Sequence, residues 1–487
     1  MLEKIYYYST NNKALKVSFQ DALLEGLAPD YGLYMIARKN IPTLSKEKIL
    51  AMKTQSYAEI AFEVLSPFLS SEVPSEDLRT LLNDAYLEEK IPTRVEKVVG
   101  RTFIMWLTSG PTYSFKDYAA RFFGRMLNYF LGKKGLKRTV VVATSGDTGG
   151  AVADALLGLD NVDNIVFYPK GSVSDGQRRQ MTTLGKNVYA FEVNGDFDVC
   201  QALAKRLLSD KEFAGSVFGD KERLTSANSI SIGRLLPQAV YPFFAYARCA
   251  SNFEPMIASI PSGNFGDMMG TVVAKQMGLP IEKIICGVNE NTEFPIFLES
   301  GKYEVLPSKH SPSSAMIVSH PSNLARLIDF YDGHMFDERD EKTFKVKRMG
   351  VIDKMPNMEE MKRDIFSVSV NNEQHYTTMK EVYDKYKVVL DPHGSVGWRS
   401  LEIFSGWKHE KLFVIYETAD PGKFPLDVKK AIGLVPPLPS GMKKQEMLKE
   451  RIYSINSSPD TTSGGLKLSE AQIEEAKKMI AEIFSKK

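Results

Sequence analysis

The chain has 487 residues, with 62 Lys and Arg against 60 Asp and Glu for a formal charge of +2, and 43% hydrophobic residues. That apolar content excludes a disordered or low-complexity polymer, and the length exceeds the roughly 250–300 residues one core usually holds, so two or three domains or subdomains are expected. Near-neutral charge without a basic arm leaves no footprint for nucleic acid, and three scattered cysteines (Cys200, Cys249, Cys286) exclude a disulfide scaffold or cysteine-based zinc site and fit a reducing cytosol.

The start, Met1-Leu2-Glu3-Lys4-Ile5, lacks a basic region followed by an apolar core, so no secretory leader is expected. Residues 1–95 mix short apolar runs with turn signals such as Ala28-Pro29-Asp30-Tyr31-Gly32, and Ala58, Ile60, Ala61, Val64 and Leu65 have helical spacing. Lys90-Ile91-Pro92 reads as a junction. Beyond it, short β-branched runs predict strands at Thr139–Ala143, Asn164–Tyr168, Val188–Val193, Ile257–Pro261, Lys283–Val288, Lys387–Leu390 and Lys411–Tyr416. Most precede a helical apolar period, an alternation that implies open, mostly parallel three-layer α/β sheets with ligand sites at the carboxyl ends of strands. The apolar stretch Leu235–Ala247 is too short and too Pro-containing to span a bilayer, so no membrane association is expected. His310 and His320 do not match a metal-binding spacing, and no metal is expected. The dense mixed charge between Asp337 and Arg363 reads as a solvated surface insertion. Ser469 and Gln472 form a capping box before Ile473, Ala476, Ile480 and Ile483, an amphipathic C-terminal helix expected to pack on the body.

Several loops carry chemistry. Ser262-Gly263-Asn264-Phe265-Gly266-Asp267 lies between a strand and a helix, where backbone N–H groups converge on an anion or simply make a tight turn. Thr144-Ser145-Gly146-Asp147-Thr148-Gly149-Gly150 repeats that arrangement, with hydroxyls that suit a carboxylate, a second phosphate or a helix cap. Ser114-Phe115-Lys116-Asp117 opens a helix. A lysine there opposes the helix dipole by ~0.3–1 kcal/mol, and desolvation pushes the same way, toward a neutral amine that can condense with an aldehyde. A solvated surface lysine is the competing account. Asn228-Ser229-Ile230-Ser231-Ile232-Gly233-Arg234 can surround a phosphate or start a capped helix, and Thr418, after the strand ending at Tyr416, can meet a heterocycle nitrogen or cap a turn.

Taken in order, these motifs resemble the threonine synthase family, pyridoxal-phosphate enzymes with the fold of the tryptophan synthase β-subunit. The likeness runs from Gly26-Leu27-Ala28-Pro29-Asp30-Tyr31-Gly32-Leu33-Tyr34 through Pro111–Asp117, Thr144–Gly149, Asn228–Arg234 and Ser262–Asp267 to Leu390-Asp391-Pro392-His393-Gly394. It implies an extra N-terminal domain over 1–95, a catalytic domain over 96–465 with a mobile subdomain at about 138–230, and a C-terminal helix at 466–487. It further implies that Lys116 binds the coenzyme covalently, Gly263, Asn264, Phe265 and Gly266 hold its phosphate, and Thr418 meets its pyridine nitrogen. Thr144, Ser145, Asp147 and Thr148 are implied to lie over the cofactor and the substrate carboxylate, with Asn228, Ser229 and Arg234 on the substrate phosphate.

The implied reaction takes O-phospho-L-homoserine and water to L-threonine and phosphate by γ-elimination and β-addition, in the cytoplasm and with no obligate protein partner. A phospholyase or dehydratase releasing a 2-oxo acid would share the cofactor, and a non-catalytic relative would share the fold. The chain departs from the family at Asp420-Pro421-Gly422-Lys423, where His-Pro-Ala-Lys is common, and at Tyr113 and Ser114.

Overall fold

The computed structural model describes residues 4–144, 146–227, 230–340, 345–406, 408–462 and 465–485. The chain divides into two units, one of residues 1–23, 27–119 and 229–437, the other of 24–26, 120–228 and 438–487.

The first unit is built on a six-stranded sheet whose strands lie in the order Ile365–Ser369, Ile281–Val288, Met256–Pro261, Leu412–Glu417, Thr102–Trp106, Arg94–Val99. Five run parallel, and the edge strand Arg94–Val99 pairs antiparallel. Met256–Pro261 and Leu412–Glu417 are buried along their whole length, as central strands covered on both faces must be. Ile104, Ile257, Ile285, Phe413 and Ile415 on one face pack against Met379 and Val382 of the helix Asn372–Tyr386 and Trp398 and Leu401 of the helix Pro392–Ser405. Because Thr102–Trp106, Met256–Pro261 and Leu412–Glu417 are parallel neighbours, the loops after Trp106, Pro261 and Glu417 leave the same sheet edge.

The same unit begins with a three-stranded antiparallel sheet of Asn12–Val17, Tyr7–Ser9 and Tyr34–Ile36. Its helix Tyr57–Leu69 buries the Ala58, Ile60, Ala61, Val64 and Leu65 stripe and opens on a Ser56–Glu59 capping box.

The second unit holds an all-parallel five-stranded sheet in the order Ile452–Ile455, Val188–Val193, Val162–Pro169, Arg138–Ala143, Leu224–Ser226. The C-terminal helix Glu470–Phe484 has the expected capping box and buries Ile473, Ala476 and Ile480 in the core of this unit. Among the described residues no helix is long and apolar enough to cross a membrane.

One expected strand is absent. Lys387 takes φ +59° and closes the helix Asn372–Tyr386 with a left-handed cap. Val388, Val389 and Leu390 then cross the Met379–Trp398 cluster as an extended linker without strand partners, so their apolar character reflects packing alone. The charged stretch after Asp337 is partly regular: His334–Arg339 and Val346–Lys354 form a hairpin, followed by the helix Met358–Asp364.

Candidate active site

Lys116 is the first residue of the helix Lys116–Lys134. The Asp117 carboxylate fixes this helix entrance by accepting the Thr112 amide at 2.9 Å and the Thr112 hydroxyl at 2.5 Å. Gly110 leaves room for that carboxylate, since a Cβ there would stand 2.3 Å from Asp117 Oδ2. The Phe115 amide donates to the Thr418 carbonyl at 2.9 Å and the Asp420 amide to the Tyr113 carbonyl at 3.0 Å. This short antiparallel pairing brings Thr418 within one residue of Lys116. The hydroxyl of Tyr241 donates to the Phe115 carbonyl at 3.0 Å, and Lys423 Nζ donates to the Thr112 carbonyl at 2.7 Å. Lys116 is half-buried, with Nζ 4.6 Å from the centroid of the Phe115 ring.

The loop after Pro261 makes a cradle of open amides. Phe265 sits in the left-handed region at φ +61°, ψ +23°, just before the helix Gly266–Gln276, a conformation costing a non-glycine residue about 1 kcal/mol or more. This turn directs successive amides one way, and among the described residues the N–H groups of Gly263, Asn264, Phe265 and Gly266 have no acceptor. Gly263 is required sterically, against backbone, while a side chain at Gly266 would displace Gln238. A Cβ on Gly263 would meet the Ala315 carbonyl at 2.9 Å, and one on Gly266 the Gln238 side-chain nitrogen at 2.7 Å. The donor set, open amides at a helix N-terminus with no competing acceptor, fits a phosphate ester.

Asp267, the second residue of that helix, is fully buried. Burial pushes its carboxyl up to about 7, opposed by the Met268 amide, its own amide and the positive charge of Lys116 nearby. The cradle and the lysine are therefore electrostatic neighbours.

Arg234 lies on the turn Ile232–Leu235 and is buried. Burial brings its pKa down to about 10, with Tyr241 and Asp117 acting in the opposite sense, so it stays cationic at neutral pH. Its carbonyl accepts Gln238 Nε2 at 2.8 Å, and the same Gln238 side chain covers Gly266. Gln238 thus joins the Arg234 turn to the cradle.

A buried scaffold supports the cradle from below. Asp391 caps the helix Pro392–Ser405 through the Gly394 amide at 2.6 Å and accepts His393 Nδ1–H at 2.5 Å. His393 Nε2 accepts the Ala315 amide at 3.1 Å, and the Ala315 carbonyl backs Gly263. Glu417, with its carboxyl pushed well up by burial and by Asp391, accepts the Asp391 amide at 2.7 Å. Asp420, where the family commonly has His, caps its own turn by accepting the Gly422 amide at 2.8 Å.

Of the expected site residues, Lys116, Arg234, Gly263, Asn264, Phe265, Gly266 and Thr418 lie in the first unit. Thr144, Asp147 and Thr148 lie in the second, and Ser145, Asn228 and Ser229 lie outside the described residues. The Thr144 hydroxyl accepts the Gly146 and Gly149 amides, both at 2.9 Å, and so organises its own turn. Asp147 Oδ1 accepts Gln177 Nε2 at 3.0 Å, while the half-buried Thr148 hydroxyl has no partner among the described residues. Sequence reasoning assigns no role to Asp267 or Gln238. The available signal is Gly266 and Gly270, four apart on one helix face, which admit the Gln238 turn at contact distance.

Residues 6–86 match the family profile described as "Threonine synthase N terminus", and residues 96–407 match "Pyridoxal-phosphate dependent enzyme". A threonine synthase of Pseudomonas aeruginosa is 34% identical over 441 residues, covering 89% of this chain and 92% of the relative. One from Escherichia coli is 33% identical over 437 residues, covering 90% and 92%. A crystal structure of pyridoxal-phosphate-bound threonine synthase from Brucella melitensis superposes with a TM-score of 0.86 at 31% identity, covering 98% of this chain and 99% of that one. With both family regions matched in order and relatives aligned over most of its length, the chain belongs to the threonine synthase family.

Proposed function

We propose that this chain converts O-phospho-L-homoserine and water to L-threonine and phosphate with pyridoxal phosphate as coenzyme, Lys116 being the amine that binds it. The observation that carries the reading is the pairing of amides at 263–266, without acceptors among the described residues, with an amine, Lys116, whose charge acts on the buried carboxyl of Asp267 at the same helix N-terminus. The amides would hold the coenzyme phosphate. Thr418, whose hydroxyl has no partner among the described residues, would meet the ring nitrogen. When bound, the coenzyme supplies an electron sink for the carbon that bears the substrate amino group.

The chain's own groups do the rest. Lys116 takes the α-proton and handles subsequent proton transfers, for which a half-buried amine beside a carboxyl is suited. Arg234 holds a desolvated positive charge that opposes the negative charge gathering on the departing phosphate, an interaction stronger away from bulk water. Thr144, Ser145, Asp147 and Thr148 would orient the substrate carboxylate, and Asn228 and Ser229 would join Arg234 on the phosphate. We assign the reaction to the cytoplasm, the reducing compartment that the three free cysteines fit.

Two measurements test this. Borohydride reduction of the coenzyme-loaded protein, followed by peptide mass mapping, should label Lys116, with the label lost in Lys116→Ala. Incubation with O-phosphohomoserine should release threonine and phosphate in equal amounts. Phosphate accompanied by 2-oxobutyrate and ammonia would make the enzyme a phospholyase instead.

A further inference from the structure

Arg326, on the helix Leu324–Phe330, is fully buried. Its guanidinium donates in three directions: Nε to the Tyr34 carbonyl at 2.9 Å, one terminal nitrogen to Asn323 Oδ1 at 2.6 Å, and the other to the Ile230 carbonyl at 2.6 Å. Asn323 then donates its side-chain nitrogen at 2.9 Å and its amide at 3.2 Å to the Asn264 carbonyl. One side chain therefore ties together three segments distant in sequence. These are the strand Tyr34–Ile36, the start of the turn that leads to Arg234, and the cradle loop. Burial alone depresses its pKa, to about 9, and no acidic group contributes to that shift. Among the described residues this desolvated cation donates to neutral oxygens, which raises the positive potential around it, and a phosphate is the natural counter-charge.

We propose that Arg326 is a positioning residue for phosphate recognition, setting the cradle of Gly263–Gly266 and the Arg234 turn at a fixed spacing. This rests on the assignment of the cradle and Arg234 to phosphates made above. The planar fork is what the role needs. A lysine would keep the charge but, as a point donor on a flexible stem, cannot hold three divergent acceptors at once.

The test titrates the full chain, freed of coenzyme, with pyridoxal phosphate and separately with pyridoxal, which lacks the phosphate. In Arg326→Lys the dissociation constant for pyridoxal phosphate should rise about tenfold or more, the size expected for lost charge-assisted hydrogen bonding, while that for pyridoxal stays within about twofold. KM for O-phosphohomoserine should rise about as much, with kcat moving far less. Asn323→Ala removes the side-chain link between Arg326 and Asn264, leaving the backbone amide bond to Asn264 and the Arg326 bonds to Tyr34 and Ile230 in place. It should weaken pyridoxal phosphate selectively and leave KM nearly unchanged. Equal weakening of both coenzyme forms, or weakening of neither, would overturn the assignment. If Arg326→Lys does not fold, Asn323→Ala decides by the same comparison. A wild-type chain that forms no threonine would remove the functional reading above, whereas the coenzyme titrations judge Arg326 independently.

Discussion

Asp267 carries a carboxyl whose titration the fold has moved. Its native value of about 7 lies above the ordinary range because burial favours the neutral form. The stability associated with that neutral form is complete below about pH 4, where the unfolded chain is also protonated, and is lost as pH rises through 7. Asp267→Asn keeps an acceptor for the Met268 amide but cannot ionise. Urea unfolding should therefore find variant and parent close at pH 4.5, with the variant more stable by on the order of 2–4 kcal/mol at pH 8. A difference that stays flat with pH would contradict a buried, titrating carboxyl. Gly394 is a second single-residue constraint: a Cβ there would lie 1.5 Å from Glu417 Oε2, one residue before Thr418. Gly394→Ala should cost roughly 3 kcal/mol in thermal unfolding, as overpacking of a closed core does, and should weaken coenzyme binding by displacing Thr418.

At the scale of elements, the helix Pro392–Ser405 connects sheet to cradle. Its cap, Asp391, also orients His393, and His393 holds the Ala315 amide behind Gly263. Asp391→Ala should lower stability by about 2 kcal/mol, a lost buried cap, and should also weaken pyridoxal phosphate binding although Asp391 has no contact with the cradle itself. Unchanged affinity in the destabilised variant would mean that the Ala315 loop keeps its place without Asp391 orienting His393. The sequence makes much of this architecture legible. Strand–loop–helix alternation locates Val188–Val193 to the residue, and the Ser469 and Gln472 box locates the last helix, because burial on both faces and cap chemistry each leave a local imprint. Arg94–Val99 is not legible, since an edge strand that mixes Arg, Glu and Lys with Val without strict alternation resembles a surface loop. Lys387–Leu390 misleads for the opposite reason, its apolar run serving packing without pairing. In the site, Lys116 and the glycines are visible as local motifs. Gln238, Asn323 and Arg326 are not, because what each brings to the cradle (the Gly266 helix for Gln238, Asn264 for Asn323, Tyr34 and Ile230 for Arg326) lies far away in the chain and no spacing rule encodes it.

At the scale of the whole molecule, the chain closes its second unit with its last fifty residues. Strand Ile452–Ile455 pairs in parallel with Val188–Val193 and so covers what would be an open sheet edge. The helix Glu470–Phe484 buries Ile473, Ala476 and Ile480 against Tyr189, Phe191 and Leu203 of that unit. By contrast, the central strands Met256–Pro261 and Leu412–Glu417 belong to a sheet with its own helices and its own core. Separate cores predict separable cooperativity. Ile480→Asp places a carboxylate among apolar side chains, a change expected to cost roughly 3 kcal/mol or more where the charge is buried. Native-state hydrogen exchange should then show faster exchange at Val162–Pro169 and Val188–Val193, with amides of Met256–Pro261 keeping the protection of the parent protein. A uniform loss of protection across both sheets would mean that the two cores unfold as one, and that the C-terminal helix stabilises the cradle strands as directly as it does its own sheet.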